Sequence, residues 1–165
     1  MNFLKGYQGY LQADAYTGYD KLFDHKQTDY QIIEVACMAH VRRKFYEIAQ
    51  QAKKPGTAHQ ALSFIQKLYR AEKAARELSD DDRKQLRQEQ AKPILVDFKQ
   101  WLDQTVNRVL PKSPLGTAVS YALKNWDALT RYLEDGLLDI DNNAAERLMR
   151  PIAIGRNYAE FNIML

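Results

Sequence analysis

At 165 residues, with 45% hydrophobic and 27% charged side chains, the chain is long enough to bury a core and has the composition of an ordered domain rather than a disordered tail. Its formal charge of +3 does not by itself announce a nucleic-acid binder, so any such role must lie in where the cations fall. The single cysteine, Cys37, excludes an intramolecular disulfide, and no apolar run approaches the roughly 18 residues of a membrane span. With no signal-peptide core after Met1, a cytoplasmic protein is expected.

The first third alternates strand and helix. Tyr10-Leu11-Gln12-Ala13 is a short apolar run ending at Asp14, followed by a glycine-containing turn and an amphipathic stretch around Tyr19, Leu22 and Phe23. Gln31 to Met38 is rich in β-branched residues and reads as a buried strand, and His40 to Gln51 carries Val41, Phe45 and Ile48 at helical spacing. This alternation predicts parallel strands in an α/β sheet. The middle reads as helix throughout. Leu62, Ile65, Leu68 and Tyr69 make one apolar stripe, and Ser79-Asp80-Asp81-Asp82 resembles a capping box opening the next helix, which Pro93 should kink or split. Ile94, Leu95, Phe98, Leu102, Val106 and Val109 form a second stripe that stops before Pro111. Ser113-Pro114 then caps a helix carrying Val119, Ala122, Leu123, Trp126, Leu129 and Leu133, with Gly136 as its stop. Leu137 to Ile140 reads as a short extended piece, and Asn143-Ala144-Ala145-Glu146 opens a last helix.

Few residues suggest chemistry by position alone. Asp14 follows a strand, where open α/β sheets leave a ligand crevice, but the same place suits an Asx turn or helix cap. Glu146 stands three residues after Asn143, the spacing of a capping arrangement. Cys37-x-x-His40 has a metal-like spacing but too few partners for zinc. Arg42, Arg43 and Lys44 are contiguous, and Arg147, Arg150 and Arg156 crowd the end; clustered cations suit phosphates, or simply a solvated helix face.

Three blocks, taken together and in order, resemble a known family. Tyr7 to Tyr19 (YQGYLQADAYTGY) is similar to the second-aspartate block of the insertion-sequence-66 family of bacterial transposases. Cys37-Met38-Ala39-His40-Val41-Arg42-Arg43-Lys44-Phe45 looks like the block that follows it. Asp141-Asn142-Asn143-Ala144-Ala145-Glu146-Arg147, with Arg150-Pro151 and Gly155-Arg156-Asn157, resembles the family's glutamate block.

The resemblance implies a DDE transposase and an α/β fold that is mostly α by content, a partial RNase H-like core interrupted by a large helical insertion. Residues 1–55 would belong to that core, 56–136 to the insertion, and 137–165 to the return bearing the glutamate helix. Asp14 and Glu146, 132 positions apart, then match two catalytic, metal-binding carboxylates. They would hold Mg²⁺ (or Mn²⁺) for two-metal strand cleavage and transfer, and are expected to converge within roughly 10 Å. Arg42, Arg43, Lys44, Arg147, Arg150 and Arg156 would bind double-stranded DNA, both element ends and target.

Only 13 residues precede Asp14, whereas the family's first aspartate lies on an earlier strand, and Tyr158 to Leu165 departs from the family pattern. The expectation is a fragment inactive alone, prone to self-association along an unpaired strand edge, and dependent on the missing N-terminal part or a full-length transposase. The alternative is a non-catalytic DNA-binding or transposase-interacting remnant.

Overall fold

The computed structural model describes residues 6–13, 31–143 and 147. Strands β1 (Gln8–Ala13) and β2 (Gln31–Ala36) pair in parallel, in register from Gln8 opposite Gln31 to Ala13 opposite Ala36. The parallel pairing expected from the strand–helix alternation is therefore present, and it sets both carboxyl ends side by side. Along β2, Ile32 and Ala36 point to one face and Val35 to the other. All three are buried, so β2 is covered on both sides, as parallel strands usually are. β1 is less enclosed: Gln8 is exposed and Gly9 to Gln12 are half-buried.

Helices make up most of the remainder. Helix α1 (Met38–Gln51) starts directly beyond β2 and buries Met38, Val41, Phe45 and Ala49 along one stripe. Helix α2 (Thr57–Ala75) buries Ile65 and Leu68 together with Ala58, Ala61, Ala71 and Ala75, while Leu62 and Tyr69 flank that stripe. Helix α3 (Asp80–Leu86) is capped by Ser79, whose Oγ accepts the Asp82 N–H at 3.2 Å.

Pro93, expected to kink or split the helix, does not end it; the regular α-helix is interrupted just before it. A π-helical turn (Arg87–Ala91) joins α3 to α4 (Lys92–Val106), and the Lys92 N–H bonds the Arg87 carbonyl five residues back. Proline has no N–H and its ring crowds the carbonyl four residues earlier, so widening the preceding turn lets the helix continue. Helix α4 buries Leu95, Phe98 and Leu102 and ends at Val106, short of the Pro111 stop expected from the stripe.

Helix α5 (Pro114–Lys124) opens as the Ser-Pro pair predicts, with Ser113 Oγ accepting the Gly116 N–H at 3.0 Å. It does not run through to Gly136. Asn125 turns its side chain back to the Tyr121 carbonyl at 2.8 Å, and the chain restarts as α6 (Trp126–Thr130) and a 3₁₀ turn (Arg131–Leu133). Gly136 is not the helix stop either. It is buried, and a Cβ there would lie 1.9 Å from the Asp80 carbonyl oxygen, so glycine is required by a backbone-to-backbone approach. Leu137 to Ile140 forms turns and bends, not the extended piece expected from its apolar residues.

One hydrophobic core runs from Ala36 to Ile140 and joins α1 to the helices beyond it. Phe98 lies at its centre, stacked on Phe64 with ring centroids 5.2 Å apart and edge-on to Trp126 at 5.7 Å. Within this apolar surrounding, Arg87 is fully buried. Its Nε and Nη2 donate to the two oxygens of Glu72 at 2.9 and 2.7 Å, and its Nη1 donates to the Tyr132 and Asp135 carbonyls, each at 3.0 Å. Removing one partner would strand the other charge. Arg87→Ala is expected to cost about 3–5 kcal/mol, whereas Arg87→Met combined with Glu72→Leu should cost much less. Denaturant titration of the single and double variants tests this; equal losses would show that the pair does not act as a unit.

Candidate functional site

The carboxyl ends of β1 and β2 meet a segment from the far end of the chain. Gln12 Nε2 donates to the Asp139 carbonyl at 2.8 Å, and the Met38 N–H donates to the Ile140 carbonyl at 3.0 Å. Two residues further on, the Asn142 N–H reaches Cys37 Sγ at 3.4 Å. Residues 139–142 thus lie across the sheet edge, tied to β1 through Gln12 and to the start of α1 through Met38 and Cys37. Crevices at the carboxyl ends of parallel strands are the usual ligand sites of α/β folds.

Asp141 holds the start of the helix that follows. Its Oδ1 accepts the Asn143 N–H at 3.0 Å, and its Oδ2 accepts the Tyr69 hydroxyl at 2.6 Å. Asn143 is already helical, so the acceptor at this helix start is the Asp141 carboxylate rather than the Asn143 amide expected from the sequence. Tyr69 lies 72 residues away on α2, and nothing in its surroundings in sequence singles it out from an apolar stripe.

Cys37, suspected of metal binding only for its spacing to His40, is buried and accepts a backbone N–H instead. Among the described residues, no group of three or more His, Cys, Asp or Glu side chains could hold a metal ion. Asp14 and Glu146, the two carboxylates of the family resemblance, lie outside the described residues, as do Arg150 and Arg156. The described neighbours are Ala13, which ends β1, and the block 139–143 three residues before Glu146.

The contiguous cations Arg42, Arg43 and Lys44 do not form one patch. Successive helical residues point about 100° apart. Arg42 is exposed, lies over the Tyr46 ring at 5.5 Å, and lines a cleft of about 630 Å³ shared with Tyr69 and Asn143. Lys44 faces away toward α5, its Nζ 4.6 Å from the centroid of the Tyr121 ring, and Arg43 is exposed. Arg147 is exposed and lines a second cleft, of about 430 Å³, with Asp141, Lys73, Arg76 and Arg83. The last three did not stand out in the sequence because they are scattered through helices with no local cluster.

Burial and the Asp141 carboxylate push the Tyr69 hydroxyl above its ordinary value, and burial raises the Cys37 thiol against the weaker pull of neighbouring N–H groups. Both groups stay protonated in the folded chain where their unfolded counterparts ionise. Their contribution to stability is therefore full below the unfolded pKa values, about 8.5 for Cys and about 10 for Tyr, and is lost as pH rises beyond them. Stability is expected to fall above about pH 9, with a shallower alkaline decline in Tyr69→Phe and Cys37→Ser. At neutral pH, Tyr69→Phe should cost about 1–3 kcal/mol by removing a donor from a carboxylate. Denaturation midpoints measured across pH check both; unchanged alkaline slopes would refute the assignment.

Comparison with known proteins agrees with the motif reading. A family model described as "Transposase IS66 family" matches residues 1–162. The chain is 32% identical over 160 residues to the uncharacterized protein y4jD of Sinorhizobium fredii, covering 96% of this chain and 31% of that protein. It is 34% identical over 164 residues to the uncharacterized protein y4hP of the same organism, covering 93% of this chain and 30% of the other. The chain thus spans about a third of the length of these curated relatives. No solved structure gives a significant match. On the match along nearly its whole length, the chain belongs to the IS66 family of transposases.

Proposed function

We propose that the chain forms part of the catalytic centre of a DDE transposase, which cleaves DNA strands and joins them to a target. The observation that carries this reading is the anchoring of residues 139–142 across the carboxyl ends of two parallel strands. In the sequence, Asp14 directly follows β1 and Glu146 comes four residues after the anchored block, so each family-matched carboxylate is close in sequence to one of two segments that meet at the sheet. An RNase H-like core supplies that arrangement, and the two parallel strands with helices beside them support it.

The donor chemistry fits divalent metal. Carboxylates are the hard oxygen ligands that Mg²⁺ and Mn²⁺ prefer. Asp141, the nearest carboxylate in the described block, is already committed, since both its oxygens accept hydrogen bonds. By the family resemblance, Asp14 and Glu146 are the residues that would hold the ions, which when bound supply Lewis acidity and a more acidic water at the phosphodiester. The protein's own share is positioning. Tyr69 and Asp141 fix the chain at Asn143, while Arg42 and Arg147, in the clefts on either side, hold backbone phosphates.

The matched motifs contain two of the family's three carboxylates, and the chain spans about a third of the length of its curated relatives, so cleavage calls for a polypeptide segment that supplies the third. β1, the less covered strand, is the natural place for such a polypeptide to add. The purified chain alone is expected not to nick DNA carrying the element's ends in Mg²⁺ or Mn²⁺. With the remaining part of a full-length relative it should do so, and Asp14→Ala or Glu146→Ala should abolish the activity. Cleavage that survives either substitution would remove that residue from the mechanism.

A further inference from the structure

The cleft of about 430 Å³ beside Asp141 holds cations other than Arg147 that the catalytic reading does not use. Five cationic side chains line it, Lys73, Arg76, Arg83, Arg87 and Arg147, against three carboxylates, Glu72, Asp139 and Asp141. Pairing leaves that excess of positive charge as it stands, with Lys73, Arg76, Arg83 and Arg147 facing Asp139 and Asp141. Glu72 is consumed by Arg87 in a bidentate pair, and both Asp141 oxygens accept hydrogen bonds. Arg83 is held in place by the Gly136 carbonyl at 2.9 Å and the Arg76 carbonyl at 3.3 Å, with only a long 3.9 Å contact to the exposed Asp80. Lys73, Arg76 and Arg147 are exposed and form no ion pair among the described residues.

The arrangement follows from helix geometry. Tyr69, Glu72, Lys73 and Arg76 recur at the three- and four-residue spacings that share one face of α2. That face holds Asp141 at one end through Tyr69 and presents Lys73 and Arg76 beyond it, with Arg147 across the cleft.

We infer that this cleft, built from α2 of the helical segment and Arg147, binds the backbone phosphates of a DNA strand leading to the Asp141 block. The inference rests on the DNA reading above and adds Lys73, Arg76 and Arg83 to the phosphate contacts. The ligand chemistry is that of a polyanion without sequence preference. Exposed Lys and Arg lining one groove neutralise phosphates, and phosphate contacts carry no sequence information.

The test compares two double variants that change net charge equally. Lys73→Ala with Arg76→Ala alters the cleft, while Lys92→Ala with Lys99→Ala alters a groove between α4 and α6. Fluorescence anisotropy with unrelated duplexes across a salt series reads affinity and its salt slope, and circular dichroism confirms folding. The cleft variant should bind roughly tenfold more weakly for every duplex, with a salt slope lower by about 2, and the groove variant should stay close to the parent chain. Equal losses in both variants, or none in the cleft variant, would overturn the inference while leaving DNA binding intact. A parent chain that binds no duplex at any salt would instead overturn the DNA reading itself.

Discussion

The Arg87 guanidinium is the charge around which the helical part of the molecule is arranged. A fully buried cation survives only if each of its donors is matched, and the matches here come from separate parts of the chain. Glu72 on α2 takes two donors, and the Tyr132 and Asp135 carbonyls share a third. Those carbonyls lie within and just beyond the 3₁₀ turn, at the end of the helical run, where carbonyls lack partners of their own. The same side chain therefore neutralises itself, satisfies the loose end of the helical run and joins it to α2. Its place on a π turn next to Pro93 ties the device to a backbone irregularity that the proline makes necessary.

From that anchor the chain has little freedom on its way back to the strands. Arg83 takes the Gly136 carbonyl, and Gly136 itself touches the Asp80 backbone so closely that no side chain fits. Four residues later the Ile140 carbonyl meets the Met38 N–H at the end of the sheet. The helical segment is thus no passive excursion between the two ends of the site. α2 supplies Glu72 to the anchor and Tyr69 to Asp141 from one face, one turn apart, so core packing and site geometry share a single rigid element.

This coupling gives the charges near the site their meaning. Cations adjacent in sequence, Arg42 to Lys44, are dispersed by the helix that carries them, one toward the Asn143 cleft and another onto the Tyr121 ring. Cations far apart in sequence, Lys73, Arg76, Arg83 and Arg147, are gathered into one cleft. For a ligand with regularly repeated charge, the gathered set matters more than the adjacent one.

Local chemistry made much of the secondary structure legible in the sequence. The β-branched run at Gln31 to Ala36, the Ser79 and Ser113 caps, and the apolar stripes of α1, α2 and α4 are all read from neighbours within a few residues, because propensity, capping and periodicity act over that range. The motif blocks around Asp14, Cys37 and Asp141 likewise carried the family. Outcomes set by distant partners were not legible there: the π turn before Pro93, the break at Asn125, Gly136 as a contact point rather than a stop, and the bent path of Leu137 to Ile140. Tyr69 reads as one more apolar position until Asp141 is found beside it, and Arg87 as one more surface arginine until its burial is seen. The sequence by itself determined the two strands, the capped helix starts and the family; the tertiary structure alone decided where the helices break, which carboxylate bonds the Asn143 N–H and which cations share a cleft. Hydrogen bonds and charges act between atoms a few ångströms apart, and here those atoms belong to residues many tens of positions apart along the chain.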